Sequence, residues 1–434
     1  MKSADRWRPT AAHARAVLSA LVLAVVAVLA RRPDMLVLAT PFAGAAVWAV
    51  LLRPTCAPEI RQSLDHSAVH EGEATTWRLC VHDPEGRVDD VAVALNTTEW
   101  TEQLPVDGQV VVSLRDDSDQ PLAIGIRTTR WGHHRIGPAR VAATSAWAGF
   151  RWVSGSAADA RMLVALPQPS RFDASTPPVH TPGLVGVNRS PQQNNGTEFA
   201  SIRPFQTGDR LRRIHWPQSL RTGTLHVTST WADHDRHVVL FVDALSDVGE
   251  SGGVDGRPSS LDIAVRAAGA IAEHYVSTGD GVALVLLDHR GLHRVPPATG
   301  RRHLRRLLDV LATARPARNR FDDDGRIPRG LTPGALVVML SPLASPAALQ
   351  RAVTMANHGL TVLVVDCLPP EVVDDRRDPH VALSRRIRSL EREREVRRVG
   401  QTGIAVVSWR GPGSLDEVLR DLKRHAGPRI RARS

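Results

Sequence analysis

The densest chemistry in the sequence lies between Gly196 and Val227, GTEFASIRPFQTGDRLRRIHWPQSLRTGTLHV, where Glu198, Arg203, Asp209, Arg212, Arg213, His215, Trp216 and Arg221 crowd together. Arginine keeps its proton and offers a planar fork of donors, so Arg203, Arg212 and Arg221 suit carboxylates such as Glu198 and Asp209. Groups of this kind must pair wherever they leave water, because an isolated buried charge is expensive. Two readings follow: an ion-pair network that clamps two domains, or a docking surface for a protein or phosphate-bearing partner. Catalysis within the stretch is disfavoured, since no nucleophile stands beside a base. Gly208-Asp209 is a turn signal between FASIRPF and RLRRIHW, so two short ordered pieces are expected to meet around it.

The order Gly196, Glu198-Phe199, Arg203-Pro204, Gly208-Asp209, Arg213-Ile214, Trp216, Ser219 and Arg221 resembles the signature of a bacterial family known only as domain of unknown function fifty-eight. This chain departs from that family at Phe205, Pro217 and Leu220, where Tyr, Lys and Ala are usual. The resemblance implies an N-terminal membrane hairpin, a β domain, this motif, and a domain similar to the von Willebrand factor A fold. It also implies a partner ATPase of the MoxR type in the AAA+ class, and a role in assembling or maturing cell-envelope or other protein complexes. On that footing Glu198, Phe199, Arg203, Asp209, Arg213, His215, Trp216 and Arg221 are the candidate partner-docking or clamping residues.

Domains similar to the von Willebrand factor A fold hold a metal at the carboxyl end of the first strand, through an Asp-x-Ser-x-Ser loop whose oxygen ligands suit magnesium. Here the loop reads Asp243-Ala244-Leu245-Ser246-Asp247, so Leu245 and Asp247 stand at the serine positions. Asp243 and Ser246 are the candidate ligands of a degenerate site, and magnesium is the only cofactor considered. The plainer role for Asp243 is to bond backbone amides at the strand end. Gly249-Glu250-Ser251-Gly252-Gly253 matches the G-x-S-x-G of hydrolases, but it sits in a Gly/Ser-rich loop rather than a sharp strand-to-helix turn. His133 and His134, adjacent on a strand, would point to opposite faces and share no metal. A metal-dependent or serine-type hydrolase using the Asp243 loop is the alternative to a non-enzymatic adaptor.

The chain of 434 residues carries a formal net charge of +10, which favours anionic partners. In Arg301 to Ala314, Leu304, Leu307, Leu308 and Leu311 are spaced to face a sheet, leaving Arg301, Arg302, Arg305 and Arg306 outward. Lipids of the inner membrane suit this patch, each basic residue near the surface adding about 1 kcal/mol of attraction. No specific nucleic acid is expected, because interleaved aromatics and a recognised binding module are missing; a basic nucleic-acid-binding protein is the remaining alternative. Cys56, Cys80 and Cys367 form no CxxC, supporting neither a disulfide framework nor a zinc site and favouring a reducing compartment.

The elements that must position these residues follow from pattern. Apolar runs at Ala16 to Ala30 and Met35 to Leu52, split by Arg31-Arg32-Pro33-Asp34, predict a two-helix transmembrane hairpin over residues 1–54, with Trp7 and Trp48 at headgroup level. A cleaved signal peptide ending at Ala30 competes, although the second run counts against it. Basic flanks place both ends inside, giving a multi-pass cell-membrane protein whose bulk is cytoplasmic. Residues 55–166 alternate with period two, predicting a small all-β sandwich with strands at Thr76 to Val81, Val91 to Leu95, Val110 to Leu114 and Leu122 to Thr128. Trp131 to Pro138 resembles the family's arginine/glycine turn. Residues 167–195 read as a Pro-rich connector, 196–230 as the charged motif, and 231–434 as an α/β domain, doubly wound and von Willebrand factor A-like. Its apolar runs at Val238 to Val242, Val282 to Leu287, Leu336 to Leu340, Thr361 to Val365 and Ile404 to Val407 alternate with helical patterns, the last at Leu415 to His425.

Overall fold

The computed structural model describes residues 6–114, 121–154, 159–168, 199–206, 211–230, 237–317, 335–369 and 379–410. The chain divides into one unit of Met1–Leu166 with Gly253–Asp255, and a second of Pro167–Gly252 with Gly256–Ser434. The helical pattern at Leu415 to His425 and most of the Pro-rich connector lie outside the described residues.

In the first unit a short strand β1 (Arg8–Pro9) leads into helices α1 (Ala11–Leu29) and α2 (Asp34–Leu51). Thr10 caps α1, its hydroxyl accepting the His13 amide at 3.3 Å. Arg31, at φ 52, and Pro33 reverse the chain between the helices. Both helices are long and apolar enough to cross a membrane, with most of their large side chains turned outward. There follow β2 (Glu59–Leu64), β3 (Ala68–His70), β4 (Ala74–His82), β5 (Val88–Leu95), β6 (Thr101–Leu104), β7 (Gln109–Ser113), β8 (Pro121–Thr128), β9 (Gly132–Ile136), β10 (Ala139–Ser145), β11 (Phe150–Val153) and β12 (Arg161–Leu166).

These strands make an antiparallel sheet in the order β1-β11-β10-β5-β7, a second in the order β2-β4-β8-β6, and a small third one of β3, β12 and β9. Alternation sends Trp77, Leu79 and Val81 of β4 and Ile124 and Ile126 of β8 to one face, where they share a core with Val91 and Val93 of β5 and Val141 of β10. Two expectations need correction here. Gly132–Ile136 is a strand, as the reading of its histidines had it, rather than the turn that the resemblance implied; on it His133 is exposed and His134 buried, so the two do point to opposite faces. Trp7 is not at headgroup level but 4% exposed within the β core, its indole N–H donating to the Cys56 carbonyl at 2.8 Å. Pairing of Arg8 with Arg151 at the sheet edge draws the preceding residue inward. Trp48 does stay outward, on the last turn of α2.

In the second unit, β13 (Phe199–Pro204), a 3-10 turn at Leu211–Arg213, α3 (Trp216–Thr222) and β14 (His226–Thr230) precede β15 (His237–Asp243), α4 (Ser260–Ser277), β16 (Gly281–Asp288), β17 (Gly291–Ala298), α5 (Arg301–Leu311), β18 (Leu336–Ser341), α6 (Pro346–Asn357), β19 (Thr361–Asp366), α7 (Pro379–Gln401) and β20 (Ala405–Ser408). The six strands from β15 onward form one sheet, β17-β16-β15-β18-β19-β20, parallel except for β17. Val239, Phe241, Val285, Val337, Met339 and Val364 pack with Ala348, Ala352 and Met355 of α6 and Val399 of α7, while α4 and α5 lie against the sheet from the other side. A Ser259–Asp262 capping box starts α4. The apolar runs of the sequence all became strands, as residues buried on both sheet faces must be apolar. β17 escaped notice because Pro296 and Pro297 interrupt it; at a sheet edge missing donors are tolerated.

Replacing Trp77, wholly buried at the centre of the β core, by Ala is expected to cost about 3–5 kcal/mol, read as a lowered midpoint in denaturant titration of the detergent-solubilised chain. His134 yields a pH dependence. Its ring contacts the Thr98 hydroxyl at 3.2 Å and the Arg130 carbonyl at 2.8 Å, and burial holds its pKa below the ordinary 6.5. The unfolded chain therefore takes up this proton more readily, so the stability His134 contributes is full above about pH 6.5 and is lost as pH falls through the folded value. Thermal melts from about pH 7 down to about pH 5 should show that decline, and His134→Gln should flatten it.

Candidate functional site

The charged motif folds as a hairpin around a short helix. β13 and β14 pair antiparallel, with Arg203 opposite Val227 and Pro204 opposite His226. FASIRPF therefore pairs with the strand that follows the helix rather than meeting RLRRIHW around Gly208-Asp209, and that turn lies outside the described residues. Ile214 bridges to Val227, and the His215 amide donates to the His226 carbonyl at 2.9 Å. His215 is the cap of α3, its Nδ1 accepting the Gln218 amide at 3.2 Å. Gly223, at φ 71, ends the helix in the left-handed conformation that glycine adopts without strain.

Ser219 ties the helix to the hairpin. It is buried, its hydroxyl donating to the His215 carbonyl at 2.9 Å and accepting the His226 amide at 2.9 Å. The helix thus turns a small polar residue inward and its large apolar ones outward: Trp216 is 59% exposed and Leu220, four residues on and on the same face, 81%. Leu211 and Leu225 are exposed as well. Arg221 is exposed in the last turn, where the helix dipole favours a cation. Arg213 is half-buried, as is Arg203, which donates to the Pro204 carbonyl at 3.1 Å. The backbone of Phe199 opens β13, while Glu198 and Asp209 lie outside the described residues. Ser219 was read from sequence only as part of the family signature and Leu220 only as a departure from it, while Leu225 was not singled out; the i, i+4 spacing of Trp216 and Leu220 was a usable signal.

A second constellation lines the carboxyl ends of the parallel strands. Strand order reverses between β15 and β18, and such a switch point opens a crevice at the strand ends. Asp243 ends β15 and is buried; it accepts the Ser341 hydroxyl at 2.8 Å and the Leu245 amide at 3.3 Å. Asp247, at the second serine position of the metal-loop pattern, accepts the Ser260 hydroxyl at 3.3 Å and the Leu261 amide at 3.0 Å at the start of α4. Ser246 is half-buried between them. Among the described residues no group of three or more His, Cys, Asp or Glu side chains is arranged to hold a metal ion. The G-x-S-x-G pentad lies in the loop from β15 to α4, away from both ends.

Sequence reading passed over the neighbours of Asp243. Asp366 ends β19, accepts the Leu368 amide at 3.0 Å and pairs with Arg392 of α7. Although close, that pair is poorly aligned: among the described residues Arg392 Nε and Nη2 are buried without a hydrogen-bond partner. Burial, helped by the Asp366 and Asp243 charges, pushes the Cys367 thiol well above its ordinary range. Asp288 ends β16, buried, with His289 at 3.6 Å and His293 at 3.4 Å. A signal was present, since each apolar run stops on Asp or Ser. On α5, Arg301, Arg302, Arg305 and Arg306 are exposed as expected, Arg305 meeting Asp309 at 3.3 Å, while His303 turns inward to the Val282 carbonyl at 2.7 Å.

Residues 201–381 match the model of the family described as "Protein of unknown function DUF58". Uncharacterised proteins of Mycobacterium bovis and Mycobacterium tuberculosis are 30% identical to this chain over 177 residues, 40% of this chain and 48% of each relative. The chain thus spans about half the length of the curated relatives it matches. Among solved structures, the human seminal-plasma complex of zinc 2-glycoprotein with prolactin inducible protein matches 26% of this chain and 99% of that chain, at 12% identity and a TM-score of 0.19. The cupredoxin domain of amoB from Nitrosocaldus yellowstonii matches 28% of this chain and 92% of that chain, at 9% identity and a TM-score of 0.15. Likenesses this low carry no argument.

The Asp243–Ser341 contact makes a stability prediction. Asp243→Ala should cost about 1–3 kcal/mol, because it strands a buried hydroxyl. Asp243→Asn, which keeps an acceptor oxygen, should cost less, and adding Ser341→Ala to Asp243→Ala should recover part of the loss in denaturant titration.

Proposed function

We propose that this protein is a membrane-anchored, non-enzymatic adaptor whose protein partner docks on the face formed by Trp216, Leu220 and Arg221. One observation carries the reading: α3 exposes its largest apolar side chains and an arginine while burying Ser219. Exposed Trp and Arg are residue types that dominate binding energy at protein interfaces. Helices α1 and α2 supply the anchor by length and apolarity, holding the bulk of the chain at the cytoplasmic face. The exposed arginines of α5 add attraction for anionic lipid.

Through its resemblance to the family of unknown function, the partner is an AAA+ ATPase of the MoxR type, and the process is assembly or maturation of cell-envelope or other protein complexes. The strand order of the second unit, with its antiparallel outer strand β17, supports the likeness to the von Willebrand factor A fold. Asp243 keeps an architectural role in this reading, joined to Ser341 and Leu245 rather than to substrate.

Tagged full-length protein purified from detergent-solubilised membranes should enrich an AAA+ ATPase. Trp216→Ala with Leu220→Glu should reduce that capture roughly tenfold or more. Both positions are exposed, so the variant should melt at the wild-type temperature. Undiminished capture by a normally folded variant would overturn the docking face; Asp243→Asn should capture as wild type does.

A further inference from the structure

The loop joining β10 to β11 holds its backbone in an uncommon shape. Ala146, Trp147 and Ala148 stand at φ 54, 57 and 62, the left-handed region that residues with a Cβ rarely enter. Three such residues in succession persist only where their surroundings hold them. The Trp147 amide donates to Asp89 Oδ2 at 2.7 Å, and the Gly149 amide to the Ala146 carbonyl at 3.0 Å.

The remaining ties run to the base of the helical hairpin. Thr10, the cap of α1, donates from its amide to the Gly149 carbonyl at 3.0 Å and from its hydroxyl to the Ala148 carbonyl at 2.6 Å. A Cβ on Gly149 would stand 2.8 Å from the Cβ of Ala49, in the last turn of α2, so glycine allows this close approach. The Phe150 ring lies 5.1 Å from the His13 imidazole of α1 and 5.3 Å from the Arg53 guanidinium just beyond α2. The loop is therefore fastened to the first turn of one helix and the last turn of the other, at the depth where both leave the β strands.

From the middle of this loop Trp147 projects with 70% of its surface exposed, whereas Trp7, Trp77, Trp131 and Trp152 of the same unit are buried. An indole combines a large apolar body with one N–H donor, and its most favourable surroundings are the boundary between lipid headgroups and acyl chains. Arg8, Arg53 and Arg151 are exposed around the same base, where guanidinium groups meet anionic headgroups.

We propose that Trp147 is a lipid-interface anchor, its indole inserted in the headgroup layer of the phospholipid bilayer that α1 and α2 span. The inference rests on the membrane-anchored reading above. It adds a contact between the β domain and the lipid surface, in the place expected of Trp7 from sequence. With Thr10 bonded to the loop, this contact fixes how the first unit is seated on the membrane.

The test uses full-length protein in vesicles of phosphatidylcholine and phosphatidylglycerol, with Cys56→Ser and Cys80→Ser removing the exposed thiols. An environment-sensitive fluorophore is attached through Trp147→Cys in one sample and through Val22→Cys, midway along α1, in another. The probe at 147 should emit to the blue of the denatured sample and lose intensity with lipids spin-labelled near the headgroup; the probe at 22 should respond to lipids labelled deep in the acyl chain. Quenching at 22 by lipid but at 147 only by aqueous iodide would overturn the anchor and leave the spanning helices standing. Lipid quenching at neither position would remove both. The native indole is read by subtraction: brominated lipid should quench wild type more than Trp147→Phe, and equal quenching would overturn the proposal.

Discussion

A polar group that leaves water must find a partner, and the long-range ties of this protein are mostly answers to that requirement. The Trp7 indole enters the β core with its N–H on the Cys56 carbonyl. Asp83, buried in a turn, accepts the Glu85, Arg87 and Val88 amides. Glu85 in turn accepts the Thr55 hydroxyl and the Thr55 and Cys56 amides just after α2, and these bonds, the hydroxyl's foremost, hold its carboxyl down to about 2. In the second unit, Ser341 reaches across the sheet to Asp243, and His303 fastens α5 to Val282. Apolar burial supplies most of the driving force, but it is non-directional. The polar ties are what select one arrangement.

The same requirement separates inward from outward residues in the charged motif. Sequence offered two uses for its arginines and aromatics, an internal clamp or an outward face. Ser219 holds α3 against its hairpin by accepting the His226 amide while donating to the His215 carbonyl at the start of the helix, and Trp216 and Leu220 are left facing solvent. A hydroxyl suffices as the clamp because it can accept the amide of β14 and donate to the helix's own cap carbonyl at once. The large side chains are therefore available to a partner, which is the basis of the proposed adaptor role.

Where sequence reading went astray, local pattern was overruled by pairing between distant segments. Trp7 precedes an apolar helix and by composition belongs at a membrane surface, yet two residues of β1 pairing with β11 carry it inward. Gly132 to Ile136 carries turn residues around two histidines, yet pairing with β12 extends it. RLRRIHW was expected to meet FASIRPF, but β13 pairs with HVTST beyond the helix.

Periodicity alone was enough for the mixed α/β class, the two apolar N-terminal helices, the β strands with Trp77, Leu79 and Val81 inward, and the five parallel strands. These properties depend on residue type at fixed spacing, and burial on one face or both writes itself directly into that spacing. The outward arginines of α5 were legible for the same reason. Tertiary structure alone decided that Ser341 completes Asp243, that Asp366 meets Arg392, that Trp7 is inside and Trp147 outside, and that Trp216 faces solvent. Each of those depends on a partner far away in the sequence, and no periodicity records which distant group will arrive.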